Sequence, residues 1–302
     1  MELHLVDETA PLEAVVLGRA DQMGGLPILE DLYDPKSKAH LLDGTYPVET
    51  DLVNEMNAFK KVLEKYGVRV LHPSSIPDCN QIFARDLGFV IDDVFVQSNI
   101  LPLREKEIEG LSWLKESIPT EKQLILNPAA HIEGGDVLLM GNHIFVGVCT
   151  RPDYPDLITA RTNWEALKAL RYHFPDKTIH PIELKKSDDP YQNALHLDCI
   201  FQPVGPEMAI LHPNGFVHPS DYERIKSHFK PNALFEINET EMYEMMSNIF
   251  SIAPDVVVSD PSFDRLNQWL KKNGITVEEV SYREVAKQEG LFRCTTLPLR
   301  RL

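Results

Sequence analysis

Short apolar runs broken by a tight turn, then a stretch with helical periodicity, then another apolar run: this order returns along most of the chain. Residues 89–91, a turn at Asp92 and Asp93, and residues 94–97 predict a hairpin, followed by a helix over 104–116 and a strand at 123–126. A second copy runs through 137–140, a turn at Gly141 and Asn142, and 143–148, with a helix over about 162–174 and a strand near 178–180. A third begins at Leu195, turns at 205–207 into 208–211, and continues with a helix from about Ser220 and a strand at 233–235. The fourth has strands at 248–252 and 256–258, a helix opened by Pro261 and stopped by Gly274, and a strand at 276–280.

A fifth unit assembles only from both ends of the chain. The strand at 13–17 lacks a preceding partner and the one at 292–297 lacks a following one, so the two are predicted to pair. Between 13–17 and 68–71, Leu52, Val53, Met56, Phe59, Val62, Leu63 and Tyr66 form one helical stripe that ends at Gly67. Five hairpin-helix-strand units closed by the termini form a ring. The expectation is therefore a single α/β domain over residues 1–302, with repeats around a pseudo-five-fold axis. In a ring, equivalent positions meet at the centre. Asp86, Glu133 with Asp136, His196 with Asp198, Asn248 and Cys294 all fall at or just before the first strand of a unit, so they are expected to converge on one axial pocket.

Composition narrows the partners. With 302 residues, 43% hydrophobic and 25% charged, the chain can bury a sizeable core. A net charge of −16 repels nucleic acid and anionic membrane and favours a cationic small molecule. No apolar run approaches the roughly 20 residues that span a bilayer, and residues 1–8 lack a signal peptide's basic start and apolar stretch, so a cytoplasmic location is expected. The cysteines at 79, 149, 199 and 294 form no CxxC pair, which fits a reducing compartment and offers no zinc knuckle.

The pocket residues supply carboxylates, an imidazole and a thiol. A guanidinium is planar, permanently charged and forked, so two carboxylates can each take one of its edges; Asp86 and Asp198 are the candidates. On a strand, His196 and Asp198 would share a face while Leu195, Leu197, Cys199 and Phe201 take the other, making Cys199 a packed core thiol and leaving Cys294 as nucleophile. Taken alone, Glu133-Gly134-Gly135-Asp136 reads equally well as a polar turn before a strand.

Phe83-Ala84-Arg85-Asp86, Glu133-Gly134-Gly135-Asp136, His196-Leu197-Asp198 and a lone C-terminal Cys294, in that order, resemble the guanidino-group-modifying superfamily of arginine deiminases, dimethylarginine dimethylaminohydrolases and amidinotransferases. The resemblance runs from about Glu13 to Arg301 and implies a five-bladed α/β propeller without a cofactor or metal. It implies a guanidino substrate such as arginine, attack by Cys294 as thiolate, protonation of the leaving amine by His196, and Glu133 either holding His196 or meeting the guanidinium. The thiol would be activated by the cationic substrate, by His196 or by Arg293. Asp136 joins the substrate-binding set. Arg104, with Arg161 or Arg151, would clamp a substrate carboxylate, and residues 23–47 would form a lid. A homodimer is compatible with the resemblance.

Departures pull two ways. Glu133-Gly134-Gly135-Asp136 is the hydrolases' version, whereas His-Leu-Asp counts against a dimethylarginine hydrolase, and 197–206 is similar to amidinotransferases. The stretch before Cys294 has one glycine, Gly290, where the family has a cluster. A hydrolase is expected, with an amidinotransferase as the alternative. The more remote alternatives are a ribosome-binding propeller protein and a zinc hydrolase, which no His-x-x-His or Cys-x-x-Cys spacing supports.

Overall fold

Each apolar run ends up in one of five small sheets, arranged by the same rule. A computed structural model describes residues 1–150, 153–154 and 156–302. Strands β1 (Leu12–Leu17) and β2 (Arg69–Leu71) pair in parallel. The next sheet joins β3 (Gly88–Ile91), β4 (Val94–Gln97) and β5 (Gln123–Ile125), with β3 antiparallel and β5 parallel to the middle strand. The same pattern holds for β6 (Val137–Met140), β7 (His143–Val148) and β8 (Thr178–Glu183). It holds again for β9 (Phe201–Val204), β10 (Met208–Leu211) and β11 (Leu234–Glu236), and for β12 (Phe250–Ala253), β13 (Val256–Ser259) and β14 (Thr276–Glu279). Finally β15 (Thr296–Arg301) pairs antiparallel with β1, so the two ends of the chain complete the fifth sheet.

The helices are α1 (Pro35–Leu42), α2 (Glu49–Lys65), α3 (Ser112–Ser117), α4 (Trp164–His173), α5 (Pro219–Lys226), α6 (Glu239–Tyr243), α7 (Asp264–Lys272) and α8 (Arg283–Ala286). In α2 the stripe buries Leu52, Met56, Phe59 and Leu63, and Gly67 ends it with φ +76°, a backbone state that costs glycine little. Phe59 meets the rings of Phe250, Tyr282 and Phe292 edge-on at 5.1–5.9 Å, tying this helix to the chain just before Cys294. Strand β1 is buried on both sides: Val15 and Leu17 enter one apolar cluster, Ala14 and Val16 the other. No helix among the described residues is long and apolar enough to cross a membrane.

Three local expectations are corrected. Residues 102–111 form a 3-10 helix that only then becomes α3, with Pro102 at its start and Arg104 and Glu107 stacked three apart and paired. The third unit's strand begins at Phe201; Leu197–Cys199 is a 3-10 turn, held by the Leu197 N–H donating to Asp136 Oδ1 at 2.9 Å. His196 and Asp198 therefore do not share a strand face. The last strand starts at Thr296, so Cys294 sits in the turn before it.

Those turns set up the centre. Ala84–Leu87, Gly134–Asp136 and Leu197–Cys199 are equivalent 3-10 turns before β3, β6 and β9, and they pack on one another. Asn248 and Cys294 precede β12 and β15 in the same way.

Candidate active site

The turns bring a buried charged cluster together. Glu133 Oε2 lies 2.7 Å from His196 Nε2 and accepts from Arg161 Nη1 at 2.9 Å, while Glu133 Oε1 accepts from the Leu101 N–H at 3.2 Å. Asp86 Oδ2 accepts from Arg104 Nη1 at 2.7 Å; its Oδ1, 3.8 Å from His196 Nδ1, is buried with no partner. An unpaired carboxylate oxygen away from water is costly, which marks it as an acceptor waiting for a donor.

The glycines of Glu133-Gly134-Gly135-Asp136 make this closeness achievable. A Cβ on Gly135 would lie 2.7 Å from Cγ and Nδ1 of His196, and one on Gly134 would lie 2.1 Å from the Arg85 carbonyl oxygen. The motif is thus a seat for the imidazole, a role a surface turn would not require. Burial alone would lower the His196 pKa, but Asp86, the hydrogen bond to Glu133, and Asp136 raise it to about 9, so the ring is an imidazolium at neutral pH. Burial likewise opposes the charge on Glu133, yet Arg161, His196 and Arg104 hold its carboxyl well below the usual range.

Cys294 is 3% exposed. Its Sγ lies 3.6 Å from Asp198 Oδ2, and its N–H donates to Asn248 Oδ1 at 3.0 Å. The same Asn248 oxygen accepts from the Leu291 N–H at 3.1 Å, so Asn248 shapes the turn that presents the thiol. Burial, then Asp198 and Asp86, push the Cys294 pKa far above its ordinary value. Arg293 does not offset this. Its guanidinium is taken up by Glu8 (3.0 Å) and by the same Asp198 Oδ2 that lies beside the thiol (2.8 Å), which counts against Arg293 among the three expected activators. Burial and the two carboxylates thus favour the protonated thiol.

The remaining expected residues are placed as follows. Asp136 is committed on both oxygens, to Thr162 Oγ1 at 2.6 Å and to the Leu197 N–H, and it does not line the cavity around Cys294. Asp198 is fully buried beside the thiol and is likewise absent from the cavity wall. Arg104 is forked onto Glu107 at 2.8 and 2.9 Å besides Asp86, and Arg161 donates to the carbonyls of Ile158 and Tyr33, both at 2.7 Å. Both arginines line the cavity with their hydrogen-bonding groups already engaged. Arg151 lies outside the described residues. Cys199 is buried in the core, as expected, though on a turn and not on a strand.

Cys294, His196, Asp86, Arg104 and Arg161 share one small cavity with Tyr33, Asp34, Phe83 and Glu289. It has about 10 Å³ open to the centre of a water molecule, room for about one water. A larger basin of about 390 Å³ lies outside it, lined by residues 23–28 and sharing Tyr33, Asp34, Phe83, Arg104 and Gln288 with the inner cavity. Those shared residues are the wall between the two, and part of that wall is the covering segment before α1. Sequence reasoning assigned no role to Asn248, Glu107, Glu8 or Glu289; only the convergence of Asn248 with the other turn residues signalled it.

Asp86, Glu133 and His196 have ligating atoms within 4.8 Å of one another, as do His143, His180 and His228 near β7 and β8. In the first set the carboxylates are paired with arginines and the imidazole is protonated, so its donors are poorly prepared for a metal ion.

A family model described as N,N dimethylarginine dimethylhydrolase, eukaryotic, matches residues 46–301. The chain is 28% identical over 297 residues to YkgA of Bacillus subtilis (strain 168), a protein described as uncharacterized, covering 97% of this chain and 93% of that one. It is 26% identical over 266 residues to an arginine deiminase of Limosilactobacillus fermentum, covering 74% of this chain but only 62% of the deiminase. Among solved structures, the amidinotransferase SxtG from Microseira wollei, of the saxitoxin biosynthetic pathway, superposes with a TM-score of 0.78 at 19% identity, covering 99% and 97% of the two chains. The N-terminal domain of ArgZ, an arginine dihydrolase from the ornithine-ammonia cycle in cyanobacteria, gives 0.79 at 16% identity, covering 95% and 98%. At such identities the likeness is one of fold, the five-bladed α/β propeller. The matching family is the one against which His-Leu-Asp counts; the aspartate of that triplet is taken up internally by Arg293, a pairing the motif alone does not reveal.

Proposed function

The chain belongs to the N,N-dimethylarginine dimethylhydrolase family within the guanidino-modifying superfamily, and from that premise we propose that it hydrolyses an arginine-like guanidino compound through a covalent adduct on Cys294. One observation carries the proposal: the Cys294 thiol, the unpartnered Asp86 Oδ1 and the His196 imidazolium face a single closed cavity.

The chemistry follows from the charges. A guanidinium entering the cavity gives Asp86 Oδ1 its missing donor and places a cation beside the thiol. The thiol proton is then lost to solvent and the thiolate attacks the guanidinium carbon. Collapse of the tetrahedral adduct expels an amine, which takes its proton from His196 and leaves an S-linked amidino group on Cys294. The imidazole, now neutral, takes a proton from water as the water attacks, and the thiolate leaves as the product departs. Glu133 keeps the ring in position throughout. Asp136 acts one step removed, through Thr162 and the Leu197 N–H.

Substrate entry requires the segment around Tyr33 to move, because the inner cavity holds about one water. Arg104 and Arg161 would exchange their present partners to meet a carboxylate. Glu133-Gly134-Gly135-Asp136 and the family match favour water over an amine as second nucleophile. Incubation with arginine and methylated arginines, without any acceptor amine, is expected to give many turnovers. A single burst of one product per Cys294, relieved only by adding an amine such as glycine, would assign a transferase instead.

A further inference from the structure

Two acids that the chemistry above does not use face the same cavity. Asp34 lies on the covering segment at the start of α1, and Glu289 lies shortly before Cys294; they are 2% and 5% exposed and hydrogen-bond to each other. Two buried carboxyl groups can do so only by holding a proton between them. Glu289 also accepts from Asn193 Nδ2 at 2.7 Å and from the Lys36 N–H at 3.2 Å, and Asp34 Oδ1 accepts from the Ser37 N–H at 2.7 Å. The Lys36 ammonium is pointed elsewhere: Nζ donates to the Tyr243 carbonyl and lies 4.1 Å from the centre of that ring. Of the titratable groups, Asp34, Lys36, Tyr243 and Cys199 feel the charge on Glu289.

The backbone at Glu289 is unusual as well, in a state it shares with Gln22, Asp78, Asp92 and Met245 among the described residues. Its φ of +58° is a conformation that side-chain-bearing residues rarely adopt and that glycine takes freely. The residue in this conformation is a glutamate that lines the cavity and is buried, and strain of this kind gathers at functional positions. The two cavity arginines, by contrast, are already satisfied by Asp86, Glu107, Glu133 and backbone carbonyls. What the cavity leaves unneutralised is therefore acidic in two places: Asp86 Oδ1 by the thiol, and the Asp34–Glu289 pair at the covering segment.

We propose that Asp34 and Glu289 form a subsite for a primary ammonium group, so that the substrate is a guanidino compound with a second cationic end, and Asp34 brings the covering segment down on it. The proposal rests on the guanidino assignment of Cys294. The arriving ammonium takes the place of the shared proton, which leaves to solvent; Glu289, whose pKa burial and Asp34 raise to about 8, then ionises against the new cation. This deepens the substrate class: a bare alkylguanidine satisfies one acidic point, an amine-bearing guanidine both.

The test is calorimetric binding to the full chain carrying Cys294→Ser, which traps the complex before chemistry. Two matched pairs differ only in the amine: agmatine against n-butylguanidine, and L-arginine against δ-guanidinovalerate. Amine-bearing ligands are expected to bind about tenfold to a hundredfold more tightly, with release of a proton at pH 7 read from the buffer dependence of the heat. Glu289→Gln in that background should abolish the preference and leave n-butylguanidine affinity unchanged; Asp34→Asn, whose amide oxygen can still accept from the Ser37 N–H at the start of α1, is the second variant should the first not fold. Equal affinities within both pairs, or a preference that survives both variants, would overturn the proposal. Turnover of guanidines with no amine preference leaves the assignment of Cys294 standing and removes the subsite. A preference in binding without turnover or adduct in the unmodified protein does the reverse.

Discussion

Replacing Glu133 by Gln removes one charge from the imidazole's surroundings and keeps the shape. The His196 pKa stands at about 9 against an ordinary 6.5, a difference worth about 3 kcal/mol in favour of the imidazolium. Burial works against that gain; Asp86 at 3.8 Å, the 2.7 Å bond to Glu133, and Asp136 produce it. A hydrogen bond to a charged partner contributes about 1.5–3 kcal/mol and a neutral one about 1 kcal/mol, so Glu133→Gln should lower the His196 midpoint by roughly one pH unit. It should not reach 6.5, because Asp86 remains. Proton NMR of the ring, followed from pH 5 to 10, measures this without depending on turnover. The folded pKa is raised, so the contribution to stability is complete below about 6.5, declines as pH rises, and is gone above about 9. Over that window the wild type should lose up to about 3 kcal/mol from this group, and the variant less, in denaturant titrations compared by slope. A wild-type ring titrating near 6.5, or a variant midpoint equal to the wild type's, would refute the electrostatic account of the site.

Cys294→Ser is expected to abolish turnover and keep the unfolding midpoint, since a hydroxyl is nearly isosteric and far less nucleophilic; full activity would end the adduct mechanism, while Cys199→Ser should cost stability more than rate. Asp86→Asn should weaken binding of a guanidino ligand by about tenfold or more in calorimetry, because the amide offers Oδ1's place less charge and sets a donor against Arg104; unchanged affinity would exclude direct contact. Gly135→Ala puts a methyl 2.7 Å from the His196 ring, and is expected to reduce kcat by at least about tenfold by displacing the imidazole from Glu133; an alanine variant with wild-type kcat would show the ring has room to spare.

The ring was legible because four of its five units are local, each a hairpin, a helix and a returning strand within a few tens of residues with turn residues such as Gly141 marking the boundaries, and the two unpaired end strands left one way to complete the fifth. The convergence of Asp86, Glu133, His196 and Cys294 followed from their common place in the repeat. What was not legible depends on partners far away in the chain. Residues 196–199 alternate like a strand, yet the Asp136 carboxylate captures the Leu197 N–H and coils them into a turn. Arg293 looks like a neighbour for the thiol until Glu8, near the other end of the chain, claims it. Likewise nothing in the sequence marks Glu289, and only its burial against Asp34 brings it to notice.

The pairing of β1 with β15 makes the centre of the fold depend on contact between segments far apart in sequence. Cys294 lies in the turn just ahead of β15, while Asp86, Glu133 and His196 precede strands whose partners are close by in the chain. Four sheets can therefore form from local pairings, but the thiol is held at the axis only when the fifth sheet closes. Long-range closure of this kind is slow compared with local folding, which ties the placement of Cys294 to the pairing with the greatest sequence separation.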